Sequence, residues 1–274
     1  MSWNRIEDGI YAAIRWIADL YCYAVYGFLI LPLIAILPLS FSSDTYLSYP
    51  MHGFSLRWYE ELFMKPQWLS ALQNSLVVGL LSMLAATVLG VLAAFGMVRQ
   101  GPRVAGFFGL VFLLPMIVPV IIYAVSAYVQ FSGWGLVGNY AGLVVTHTAL
   151  AAPLVVVTMS ATLRNFDWRL VRAAYSHGAT PLQTFRYVVL PNIVPGLVSG
   201  ALFAFIISFD EVVVTLFLAT PSQTTLPLQL FSSIRDEVTP VVTSASAFMI
   251  VVSMGIMLVI EVIRRRKEGE TGKR

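Results

Sequence analysis

Six stretches of this chain, near residues 21–41, 70–98, 104–131, 140–163, 193–218 and 241–263, are runs of about twenty or more mostly apolar residues. A helix rises ~1.5 Å per residue, so crossing a hydrocarbon core of ~30 Å takes about 20 such residues. The spacing predicts an all-α integral membrane protein with six transmembrane helices. Composition points the same way. The sequence is 58% hydrophobic and only 11% charged, against roughly 25% charged residues in a soluble domain. A chain with so few charges has too little polar surface to stay dissolved.

The charges that remain are informative by position. A net charge of +3 would point to nucleic acid only if the basic residues formed a patch. They lie instead at the ends of the apolar runs and in the tail, so no nucleic-acid partner is expected. With the N-terminus inside, the inner segments hold Arg5, Arg15, Arg99, Arg103, Arg164, Arg169, Arg172, Arg186 and the six basic residues of the tail, 14 of the 17 Lys and Arg. Outside fall Arg57, Lys65 and Arg235. The positive-inside bias therefore predicts a multi-pass protein in contact with lipid, with both termini cytoplasmic. The six tryptophans, Trp3, Trp16, Trp58, Trp68, Trp134 and Trp168, all fall outside the six runs, as expected for residues of the interfacial belt.

Residues 3–20 carry Glu7, Asp8 and Asp19 beside Arg5 and Arg15, and no small-x-small site follows the first apolar run. No cleavable leader is expected, and the run should remain as an anchor. Ile6, Ile10, Ile14 and Ile17 recur at helical spacing, which reads as an amphipathic helix on the inner surface or along a neighbour. The organisation expected is a cytoplasmic segment 1–20, a permease domain 21–263 and a basic tail 264–274. Pro115 and Pro119 in the third run and Pro153 in the fourth should kink their helices. Gly196, Gly200, Ala201 and Ala204 give the fifth a small-residue packing face. No internal repeat is visible. The single cysteine, Cys22, can form neither an internal disulfide nor a metal cluster and reads as an apolar side chain.

The most informative segment is the long inner connection 164–192, within which residues 167–196 read DWRLVRAAYSHGATPLQTFRYVVLPNIVPG. Two helices can be joined by two to eight residues, so a segment of this length has work beyond connection. Leu170, Ala173, Ala174 and His177 recur at helical spacing, Gly178 permits a turn and Pro181 can open a second short helix. Such a helix lies across the membrane face and offers a small-residue surface to a soluble partner.

The segment resembles the EAA loop of permease subunits in binding-protein-dependent ABC importers. That loop reads Glu-Ala-Ala, three residues, Gly, nine residues, an aliphatic residue, one residue, then Leu-Pro. Ala173, Ala174, Gly178, Val188, Leu190 and Pro191 stand at the matching positions, while Arg172 takes the place of the usual Glu. FSLRWYEELF at 54–63 and Asn74, Ser75 and Leu76 also resemble this family. SFDEVVVT at 208–215 and TTLPLQLFSSIRDEVTP at 224–240 resemble its polyamine- and opine-handling branch. The resemblance implies the bacterial inner membrane, the type I importer fold and a path for a small polar, cationic or amine-containing solute. It implies as partners a second permease subunit (a heterodimer is favoured), two ATPase subunits and a periplasmic or external solute-binding protein. It makes Arg172, Ala173, Ala174, Gly178, Val188, Leu190 and Pro191 the ATPase-coupling loop.

Asp210 and Glu211 lie inside the fifth apolar run, with Asp210 about 26 Å along the axis from Ile193 and so in the outer part of the bilayer. A carboxylate at mid-membrane costs ~2.5–3.5 kcal/mol, so intramembrane acids face a cavity or a partner. On a continuous helix the two would point about 100° apart, and Asp210 is the better candidate to line a route for a cation. An ion pair or a helix break is the alternative. His147, between Thr146 and Thr148, is a further candidate for the path. The three histidines, His52, His147 and His177, fall in different compartments, so no metal site is expected. There is no G-x-x-x-x-G-K-[ST] phosphate loop, the one Gly-Lys pair being Gly272–Lys273, and no H-E-x-x-H or G-x-S-x-G. The chain is not expected to be an enzyme or to bind a cofactor, with ATP and Mg²⁺ on the partner ATPase. On the residues alone, an ion-coupled transporter or an intramembrane enzyme built on these acids remains open.

Overall fold

The structure is a computed structural model that describes residues 3–100, 102–236 and 239–271. Its helices are α1 (Trp3–Leu39), α2 (Arg57–Met64), α3 (Pro66–Arg99), α4 (Pro102–Ile117), α5 (Val120–Ser132), α6 (Tyr140–Arg164), α7 (Arg169–Ser176) and α8 (Pro181–Thr184). A π-helical turn, Phe185–Val189, joins α8 to α9 (Leu190–Phe209), followed by α10 (Val213–Leu218), α11 (Leu226–Asp236) and α12 (Val241–Thr271). Among the described residues there is no strand, only an isolated bridge between Ser42 and Phe54.

Among the described residues, five helical stretches are long and apolar enough to span a bilayer: Ile14–Leu39, Pro66–Arg99, Tyr140–Arg164, Pro181–Phe209 and Val241–Ile263. The third apolar run is not a kinked rod. It is two helices, Ala105–Ile117 and Val120–Ser132, bent by 93°. Pro119 precedes α5 with φ −53° and ψ 128°, and a proline ring also pushes the residue before it out of the helical region. The two pieces meet the length and apolarity test only when taken together, as a broken span or a re-entrant loop. Pro115 and Pro153 stay inside α4 and α6. α1 runs without interruption from Trp3 to Leu39, so the backbone has no joint at residue 20. The faces read at Ile6 and Ile10, and the basic end at Lys273 and Arg274, lie outside the residues whose side chains are described.

The bundle is organised around α3, α6 and α9, which pack pairwise. Ala86, Ala94, Ala151 and Ala204 are wholly buried between them, with Val155, Met159 and Leu163. In lipid the hydrophobic effect does not drive helices together, so close backbone approach and van der Waals contact carry the packing. Small residues permit that approach. A Cβ on Gly90 would stand 2.6 Å from the Val155 Cβ, and one on Gly196 would stand 2.0 Å from the Thr162 Oγ1. The packing face at Gly196 and Gly200 thus meets α6.

One end of the bundle is closed by α2, α11 and the segment before α2. Trp58 and Trp68, expected in the interfacial belt, are instead buried there (5% and 1% exposed), in one cluster with Leu62, Phe209, Leu226 and Val242. Trp58 Nε1–H donates to the Ser42 carbonyl at 2.8 Å, which satisfies the indole inside protein. Trp16 and Trp134 are exposed. At the opposite end stand α7 and α8.

Candidate functional site

At the α7 end, the connection after α6 folds as two short helices separated by one turn. α7 has no buried residue; Leu170 and Tyr175 on it, and Leu182 and Tyr187 beyond it, are exposed apolar side chains. Asp167 starts the helix, accepting from the Arg169 backbone N–H at 2.9 Å and from its guanidinium Nε at 3.0 Å. Those bonds hold the Asp167 carboxyl below the usual carboxylate range.

The turn after α7 is fixed by glycine. Gly178 has φ +80°, a left-handed conformation that costs a side-chain-bearing residue energy. Its N–H bonds the Tyr175 carbonyl at 3.0 Å while the Ala179 N–H reaches back to Ala174 at 3.1 Å, the two bonds of a Schellman helix end. The next helix then begins at once. Thr180 accepts from the Gln183 N–H, the Gln183 side chain accepts from the Thr180 N–H, and Pro181 occupies the first turn. α7 is thereby set off from α8 by a tight turn, with Val171 packed on the buried cluster of α3, α6 and α9 and Leu170, Arg172, Ala173 and Tyr175 exposed.

The residues of the motif at 172–191 fall into two groups. Arg172, Ala173 and Gly178 are exposed and Ala174 half-buried, on α7 and its turn. Val188 and Leu190 pack against the buried cluster of Ala94, Leu163, Phe166 and Ile193, with Pro191 exposed beside them. The first group is presented outward; the second roots the segment in α3, α6 and α9. α8, the π-helical turn and α9 run on as one helical stretch from Pro181 to Phe209.

The second region lies where the fifth apolar run breaks. α9 ends at Phe209, with Asp210 as its last hydrogen-bonded residue (Asp210 N–H to Ile206 carbonyl, 3.0 Å), and α10 begins at Val213. The two acids are therefore not successive residues of one helix, as the unbroken apolar run implied, but sit at the break itself. Asp210 is exposed and Glu211 half-buried. Glu211 Oε1 accepts the Val214 N–H at 2.9 Å, using the carboxylate to satisfy a free amide at the start of α10. Asp210 is left at the surface of the break.

His147 is 1% exposed, between α6, α9 and α10. Its Nδ1 is 2.8 Å from Ser208 Oγ and its Nε2 3.3 Å from Thr215 Oγ1. Ser208 and Thr215 are themselves buried. Tyr123 of α5 donates to the adjacent Thr146 carbonyl at 3.0 Å. The structure thus gathers His147, Ser208 and Thr215 around the same break that exposes Asp210.

Asn74 has a structural role that the sequence alone does not reveal. Its Nδ2 donates to the carbonyls of Ser222 (3.0 Å) and Thr224 (2.9 Å), and its Oδ1 accepts from the Tyr140 hydroxyl at 2.6 Å. Beside it Ser75 Oγ accepts the Leu226 N–H at 2.8 Å. The signal available was an amide and a hydroxyl at the head of an apolar run; their partners lie 66 to 151 residues away.

Comparison with known proteins adds the following. Residues 86–269 match the family described as binding-protein-dependent transport system inner membrane component. The chain is 33% identical over 254 residues to the spermidine/putrescine transport system permease protein PotC of Haemophilus influenzae, covering 92% of this chain and 97% of that one. It is 34% identical to the putrescine transport system permease protein PotI of Escherichia coli K12, covering 85% and 84%. Its fold is similar to a chain of a bacterial ABC transporter involved in the import of the acidic polysaccharide alginate, with TM-score 0.71 and 16% identity over 91% of this chain and 96% of that one.

Proposed function

This chain belongs to the inner-membrane components of binding-protein-dependent transport systems, and from that premise we propose that it carries a small amine-bearing cation of the polyamine or opine kind across the membrane. It is a permease subunit of an ABC importer, an all-α protein of the inner membrane, and not itself an enzyme; ATP is hydrolysed by a separate subunit.

The observation that carries the assignment of work within the chain is α7. It is a short helix with an exposed apolar face, set off by a glycine-dependent turn from α8, which runs on into a spanning helix. We read it as the contact for the ATPase subunit, with Arg172, Ala173, Ala174 and Gly178 at the surface and Val188, Leu190 and Pro191 as the root. ATP and Mg²⁺ would be held by that partner. The orientation follows: α7 and both termini are cytoplasmic, and α2 and α11 face the external binding protein. The groove between α3 and α6, lined by Leu84, Val88, Tyr140 and Val144, suits a second permease subunit, and the polyamine likeness favours a heterodimer.

The solute reading rests on Asp210. An exposed carboxylate at a break in a spanning segment is costly unless water or a cation reaches it, and a primary ammonium group is the complementary charge. Glu211 lies beside it, with one carboxylate oxygen committed to α10. The test is reconstitution of this chain with its partner permease, ATPase and binding protein in vesicles. ATP-dependent uptake of labelled putrescine or spermidine is expected. Purification without any associated ATPase, or uptake that needs no ATP, would overturn the proposal.

A further inference from the structure

We propose that His147 is a positioning residue for transport, which hydrogen-bonds both sides of the α9–α10 break and so fixes the place at which Asp210 is presented. The inference rests on the reading of Asp210 as part of the solute path.

Ser208 is the next-to-last residue of α9, and Thr215 lies in the first turn of α10. On an unbroken helix, residues seven apart lie ~10.5 Å apart along the axis, too far for one imidazole to bond both at short range. Here the ring meets Ser208 Oγ at 2.8 Å and Thr215 Oγ1 at 3.3 Å. The bridge therefore fits the broken geometry and has to open if the two pieces straighten.

The proton directions are mutually consistent. A neutral imidazole has one donor and one acceptor nitrogen. Thr215 Oγ1 lies 3.4 Å from the Glu211 carbonyl, to which its hydroxyl can donate. Thr215 then accepts from Nε2–H, and Ser208 donates to Nδ1. Beside the ring, Tyr123 of α5 ties the neighbouring Thr146 carbonyl of α6 to the same region. Between the two hydroxyls stand Asp210 and Glu211, and no other residue of the break is pinned by a side chain from α6. His147 touches neither carboxylate in this arrangement; it acts through the helix ends.

The test uses the assembled importer in vesicles, in a Cys22→Ser background, with spin labels at Val194→Cys on α9 and Leu216→Cys on α10, both exposed positions. The interlabel distance is read by pulsed dipolar spectroscopy, and ATP-driven uptake of labelled putrescine and spermidine is followed against binding-protein concentration. His147→Ala is expected to broaden the distance distribution and lower maximal uptake about fivefold, the effect of losing roughly one net hydrogen bond of bias. The half-saturating concentration of binding protein should stay unchanged, since its docking face is untouched. His147→Gln, whose amide keeps one donor and one acceptor, should recover part of both. Ser208→Ala and Thr215→Val each cut one side of the bridge and should act in the same direction, which decides the matter if His147→Ala fails to assemble. An unchanged distance distribution in these variants, or a broadened one with normal uptake, overturns the proposal. Impaired uptake by Asp210→Asn beside normal uptake by His147→Ala removes His147 alone. Normal uptake by Asp210→Asn removes the reading of the path and the positioning role with it.

Discussion

The Tyr140 hydroxyl donates to Asn74 Oδ1 at 2.6 Å, while the same amide donates through Nδ2 to the carbonyls of Ser222 and Thr224. One buried side chain thereby joins α3, α6 and the segment before α11, residues far apart in sequence. The amide uses both its donor and its acceptor capacity.

Removing that amide should loosen the α2 end of the bundle. Asn74→Leu strands two carbonyls and a hydroxyl and should cost on the order of 2–3 kcal/mol, against about 1 kcal/mol for Tyr140→Phe. Asn74→Asp keeps the acceptor for Tyr140 but sets a carboxylate against two carbonyl oxygens, so it should be worse than Tyr140→Phe. Thermal unfolding of the purified complex ranks the three. A midpoint for Asn74→Leu equal to wild type would show that the clasp contributes nothing.

Gly178 separates conformation from contact. A Cβ there meets nothing within 4 Å of this chain, so any defect comes from the left-handed backbone or from a partner. Asn and Asp tolerate that conformation similarly and differ in charge. Gly178→Asn should retain the ATPase on purification, whereas Gly178→Asp should release it and lose uptake, with insertion and solute binding by the external receptor intact. Retention of the ATPase by both would take this turn out of the contact.

Orientation can be read by labelling. In a Cys22→Ser background, Arg57→Cys and Lys65→Cys should react with an impermeant maleimide in spheroplasts, and Arg169→Cys and Arg186→Cys should not. All four positions are exposed in the chain, and reaction of 169 and 186 after the cells are permeabilised and the ATPase stripped separates sidedness from cover by a partner. Reaction at 169 or 186 would invert the topology.

The two acids at the break should behave differently. Asp210→Asn should lower uptake with little change in thermal stability. Glu211→Ala should lower stability by about 1 kcal/mol through loss of the Val214 amide's partner, and Glu211→Gln should restore it. Equal effects of Asp210→Asn and Glu211→Ala on stability would mean that both acids serve the fold alone.

The sequence by itself determined the class, the position of most apolar spans and the two short helices around Gly178, because those depend on local chemistry. Twenty apolar residues in a row specify a membrane helix wherever they occur, and Gly178 followed by Thr180, Pro181 and Gln183 specifies a helix end and a helix start within six residues. Breaks inside apolar runs were less legible. Pro119 announced a disturbance but not a 93° bend, and the acids after Phe209 allowed a helix break only as an alternative. Those outcomes are decided by what packs alongside: Tyr123 and His147 supply hydrogen bonds beside the α9–α10 break. Tryptophan placement failed as a guide for the same reason, since Trp58 and Trp68 found protein partners that a one-dimensional reading cannot see. The bonds of Asn74 and His147 reach across 61 to 150 residues. Only the tertiary structure decides such pairings, because a buried polar group is satisfied by whichever donor or acceptor the packed helices bring within 3 Å or so of it.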